Sequence, residues 1–135
     1  MFLGFLWLSI SAMAGPFLAT DLTERYLAEI ATVSDWLPVL ASSAHGHLAL
    51  FGLIQISFGI TMPYSVFGEK IKKWQTSFLV LGVVGIGPCM LIRALAGPSS
   101  SYDLLGITIG VLLSAAMLAL ISHSTGLFLK YSKSV

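Results

Sequence analysis

Long apolar stretches separated by short polar ones set the pattern of this chain. Four runs carry no Asp, Glu, Lys or Arg: Met1–Thr20, Trp36–Gly68, Trp74–Ile92 and Leu104–Leu129. Each is long enough to cross a bilayer as a helix. The pattern predicts an all-α fold, an integral membrane four-helix bundle that takes in residues 1–135 as a single transmembrane domain. The first helix is expected from Met1 to about Ala19, with a bend near Gly15-Pro16 where proline removes a backbone donor. Its apolar start, without a positively charged leader, favours a retained helix over a cleaved signal peptide. Between the first two spans, Leu22, Tyr26, Ile30 and Val33 recur at near-helical spacing among acidic residues. Thr20–Asp35 therefore reads as an interfacial amphipathic helix. Ser42 and Ser43 are credible caps for a second helix from about Ala44 to Tyr64. Gly68–Lys73 reads as a turn. The third helix is expected from about Trp74 to Ala96, kinked near Pro88. Asp103 is placed to cap a fourth, from Leu104 to Leu129.

Composition supports the membrane reading: 56% of the 135 residues are hydrophobic and only 10% charged, against about 25% charged in ordinary soluble domains. A net charge of +1 gives no basis for nucleic-acid binding. The single Cys89 excludes an intrachain disulfide or a cysteine-built metal cluster. Lysines concentrate in the Gly68–Lys73 turn and the C-terminal tail, so both belong on the cytoplasmic side. Both termini then lie inside, and the inner membrane of a bacterium or archaeon is the expected location.

Against this apolar background His45 and His47 stand out, since an ionisable residue in a span is a functional candidate. Ala49, Gly52, Ile56 and Gly59 follow His45 at intervals of four and three, which puts them on its face of the helix. An imidazole above so small-sided a lane suits a flat macrocycle. The same lane suits close helix–helix packing. His47 lies about 200° around the helix from His45, above Phe51, Ile54 and Phe58, which read as packing or lipid contact. His45 is therefore the preferred ligand. Arg93 lies 19 residues beyond Trp74, roughly 28 Å along a helix, and so reaches the level of His45. It can pair with cofactor carboxylates, snorkel to headgroups, or pair with Asp103 or Asp35. His123 falls near the opposite face, which rules out one metal ion shared with His45 in the same chain. Cys89 and Met90 read as packing.

The AHG of Ala44–Gly46, its glycine-punctuated span and the closing Met62-Pro63 resemble the second transmembrane helix of the heme-copper oxidase catalytic subunit, where the matching histidine ligates heme. HGHLALFG is also similar to the HxHLxLxG opening of short four-helix proteins related to those oxidases and to nitric oxide reductases. Over more of the chain, the order of parts resembles the styrene oxide isomerase family. That family consists of four-helix membrane enzymes that form trimers with heme b between subunits. The resemblance implies heme b held by His45, a homo-oligomer (a trimer), and ferric iron acting as a Lewis acid that opens an epoxide to an aldehyde. This chain departs from the family at Phe51, where the isomerase has an asparagine. It departs again at Met90, where a tyrosine stands, and near Gly82, where an acidic residue stands. Heme binding carries over better than the isomerase reaction. The cofactor-binding set implied is His45, Ala49, Gly52, Gly59 and Arg93, with His45 on the metal. The alternative is a non-catalytic accessory or electron-transfer subunit of a larger oxidase-type membrane complex, suggested by the scarcity of carboxylates in the spans.

Overall fold

A computed structural model describes residues 1–27, 36–98 and 103–132. Helix α1 spans Phe2–Leu27 and α2 spans Trp36–Thr61, followed by one 3-10 turn, Met62–Tyr64. Helix α3, Glu69–Val84, passes through a π-helical turn, Gly85–Cys89, into α4, Met90–Ala96; α5 spans Leu104–Ser132. The stretches Phe2–Thr20, Trp36–Tyr64, Glu69–Ala96 and Leu104–Ser132 are each long and apolar enough to cross a membrane. The chain is thus an all-α multi-pass membrane protein.

Several boundaries differ from expectation, and three of them matter for the site. Helix α1 runs through Pro16 to Leu27 instead of ending near Ala19. Proline removes one internal hydrogen bond, that to the Ala12 carbonyl, and the helix continues past it. Residues 28–35 of the expected interfacial helix lie outside the described residues. Helix α2 begins at Trp36, so Ser42 and Ser43 are interior residues and not caps. Pro38 falls in the first turn, where a missing N–H costs nothing. Helix α3 begins at Glu69, which brings Lys70, Lys72 and Lys73 into its first turns. The kink expected near Pro88 takes the form of the π turn.

The helices pack as two principal pairs, α1 with α2 and α3 with α5, and α4 adds a further contact with α2. Small residues allow both close approaches. A Cβ on Gly4 would stand 2.7 Å from the Gly52 carbonyl oxygen, and one on Gly52 would stand 2.9 Å from that of Gly4. Across the other pair, a Cβ on Gly82 would collide with Ala116, and one on Gly85 would reach Leu112 at 2.9 Å. The core between them holds Leu48, Phe51, Phe58, Leu79, Val83, Ile86 and Ala116. Helix α4 ends at Gly97, whose φ of 88° favours glycine, and Pro98 follows. Asp103 caps α5 as expected, accepting the Gly106 N–H on Oδ1.

Candidate functional site

Helices α1 and α2 run antiparallel, so Met1 lies against Gly59 and Gly15 against His45. This register decides what the small-residue lane does. Gly52 receives Gly4 and Leu8, and Gly59 receives Met1, so α1 fills the lane. Gly52 and Gly59 serve helix packing, and Ala49 is half-buried on α2 between His45 and Gly52. A macrocycle has no room along that lane within one chain.

His45 itself is held by α1. The Ser11 hydroxyl donates to the His45 carbonyl oxygen at 3.0 Å and lies 3.0 Å from Nδ1. A serine hydroxyl has one proton. With that proton on the carbonyl, the oxygen accepts from Nδ1–H, and the neutral ring keeps its lone pair on Nε2. A hydrogen bond on one ring nitrogen fixes in this way which tautomer an imidazole takes. Gly15 leaves space at the ring's outer edge, where a Cβ would stand 3.3 Å from Cε1 and 3.5 Å from Nε2. Beside the ring lies a cavity of about 290 Å³, walled by Trp7, Leu18, Ala44, Leu48, Pro88 and others. Among the described residues the Trp7 indole N–H is buried and has no hydrogen-bond partner. The cavity wall thus carries one imidazole and one indole on otherwise apolar surface. Its volume sits at the lower edge of small-molecule sites, about 300 Å³, so a porphyrin bound to His45 must extend beyond the chain.

His47 is exposed and donates Nδ1–H to the Ser43 carbonyl oxygen at 2.8 Å, on a different side of α2. Phe51 and Phe58, on the His47 side by spacing, are core residues, 4% and 5% exposed. Arg93 does reach the His45 end, and it is engaged there. Its Nε lies 3.4 Å from Asp103 Oδ2, and its guanidinium lies over the Trp36 ring, 5.4 Å from the centroid. Trp36 Nε1–H in turn donates to the Arg93 carbonyl oxygen at 3.2 Å. This cluster ties together the starts of α2 and α5 and the end of α4.

At the other end His123 is buried. Thr61 Oγ1 donates to the Ser57 carbonyl oxygen at 2.8 Å and accepts from His123 Nε2–H at 2.8 Å. Phe58 lies against the imidazole, with ring centroids 4.2 Å apart. Nδ1 is buried and has no partner among the described residues. His45 and His123 therefore belong to separate sites. No group of three or more His, Cys, Asp or Glu that could cage a bare metal ion occurs among the described residues.

Sequence reasoning missed Ser11, Trp7 and Gln55. A serine and a glutamine inside apolar runs are visible signals, yet only the helix register shows what each one meets. No protein-family model, no curated protein and no solved structure matches this chain.

Proposed function

We propose that this chain is a heme-b-binding integral membrane protein in which His45 supplies the axial nitrogen. The observation that carries the reading is the Ser11–His45 pair, which leaves the Nε2 lone pair free at the edge of an apolar cavity. The chain's own residues hold the imidazole in one tautomer and surround it with apolar side chains, among them Trp7, Leu48 and Leu91. Heme, when bound, supplies a Lewis-acidic iron, which suits the opening of an epoxide to an aldehyde. Because α1 fills the glycine lane, the rest of the heme surface is covered by a second copy of the chain. A homotrimer with heme between subunits is the arrangement proposed. We place both termini on the cytoplasmic side of a bacterial or archaeal inner membrane. The lysines at the start of α3 and Lys130 near the end of α5 support that orientation.

The test is an absorption spectrum of detergent-purified protein from heme-supplemented cells, wild type beside His45→Ala. A Soret band in the wild type that is lost in the folded variant is expected. A folded wild type with no band overturns the reading.

One feature favours a second reading, an accessory subunit without heme. Arg93 is committed to Asp103 and Trp36, which withdraws the cation best placed for propionates. Under that reading the His45 cavity receives a side chain of a larger partner, and the protein co-purifies with a heme-containing complex while carrying no heme itself.

A further inference from the structure

Gln55 poses a problem that the His45 site does not touch. It lies in α2 and is 7% exposed, and neither its Nε2 nor its Oε1 has a hydrogen-bond partner among the described residues. Hydrocarbon offers no water to satisfy such groups, and an amide left wholly unpaired in a native interior calls for an explanation.

Gln55 lines a cavity of about 310 Å³ bounded by the beginning of α1, by Gly59 and Met62 on the α2 side, and by Thr76, Leu79 and Val80 of α3. Gly59 is essential to this shape, since a Cβ there would strike Met1 at 2.7 Å. Thr76 spends its proton on the Lys72 carbonyl oxygen at 2.9 Å, so Gln55 is the group on the wall with both a donor and an acceptor to offer. Phe2, Leu3 and Thr76 on the rim are exposed. The cavity therefore opens between α1 and α3, at the end of the bundle that carries Met1.

We propose that this cavity binds the head of a single-chain lipid that carries a donor beside an acceptor, namely a carboxamide or a protonated carboxyl group. Such a head closes a ring of two hydrogen bonds with the Gln55 amide and satisfies both atoms at once. An ester or ketone accepts from Nε2 and leaves Oε1 unpaired. The apolar chain of the ligand leaves past Phe2 and Leu3 into the bilayer. The site lies at the opposite end of α2 from His45, and it does not depend on heme.

The experiment is photolabelling of the full chain in detergent micelles with a diazirine-bearing palmitamide, followed by peptide mapping. Labelling of the α2 segment around Met62 or the α3 segment around Leu79 is expected. Unlabelled palmitamide should compete, and hexadecane or methyl palmitate should not. Gln55→Leu, which keeps size and removes both polar atoms, should cut labelling by about tenfold, or about 1.4 kcal/mol of binding. Thr76→Trp, which fills the cavity from α3, should do the same and guards against misfolding of the first variant. Equal labelling in folded Gln55→Leu, or equal competition by hexadecane, overturns the proposal. So does absence of label from wild type, in which case ordered water satisfies the amide.

Discussion

His45 and His123 lie near opposite ends of the bundle, and each is gripped by a hydroxyl from a neighbouring helix. Ser11 holds the first through Nδ1, and Thr61 holds the second through Nε2. In both pairs the hydroxyl proton goes to a backbone carbonyl, so the ring must donate and its other nitrogen keeps a lone pair. The surroundings of that lone pair differ. At His45 the ring edge meets a glycine and borders an apolar cavity. At His123 the ring is 6% exposed and covered by Phe58, and although it borders a cavity of about 330 Å³ its free Nδ1 is buried. A held imidazole is therefore not in itself a ligand site. Both rings border a cavity, so the distinction lies in the free nitrogen itself: Nδ1 of His123 is buried, whereas Nε2 of His45 is not among the buried unpaired atoms, and its surroundings depend on how α1 is seated.

The comparison breaks most completely if α1 is displaced. Gly52→Leu drives a side chain into the Gly4 backbone, and overpacking against backbone should cost about 3 kcal/mol or more. Thermal unfolding in detergent should show the loss, and heme should be lost with it. Gly46→Leu is the control, because a Cβ there meets nothing within 4 Å. Its melting temperature should match wild type.

Ser11→Ala sharpens the contrast next. It removes the partner of Nδ1 and frees the ring's tautomer, which should weaken heme binding by about ten- to a hundredfold and, with the interhelix hydrogen bonds lost, destabilise the protein by about 1–3 kcal/mol. Heme titration checks this. At the other histidine, Thr61→Val strands a buried Nε2–H and should destabilise the protein by about 1–3 kcal/mol, with the spectrum of bound heme unchanged. The smallest effect is expected at His47. It is exposed and bonded only within its own helix, so His47→Ala should alter stability by less than about 0.5 kcal/mol and leave the heme spectrum alone.

Much of this arrangement is legible in the order of residues. Four uncharged runs demand four spans. The offset of two between His45 and His47 separates their directions, and opposite helix polarity separates His45 from His123. Pro88 among glycines marks the irregular turn, and Asp103 before an apolar run marks a cap. What the glycines of α2 do is less legible. Small residues announce a close approach without naming what approaches, and the Gly4–Gly52 contact depends on a register between two helices that no local pattern encodes. Ser42 and Ser43 suggested a helix start because their hydroxyls suit caps. Pro38, tolerated in a first turn, allowed the helix to begin at Trp36. Arg93 lies at the end of the bundle where α2 begins, and Asp103 and Trp36 engage it there.

The π turn at Gly85–Cys89 has a consequence for how the third span is shared. An extra residue in one turn works like a slipped tooth in a screw thread, and everything after it is rotated by about 100° relative to a regular helix. Before the slip the span faces α5, through Gly82; after it, α4 lies against α2. One continuous rod thereby serves two partners that a uniform helix would meet on a single stripe. Deleting one residue from 85–89 would restore the thread, turn Arg93 away from Asp103, and leave α2 facing the wrong side of its neighbour.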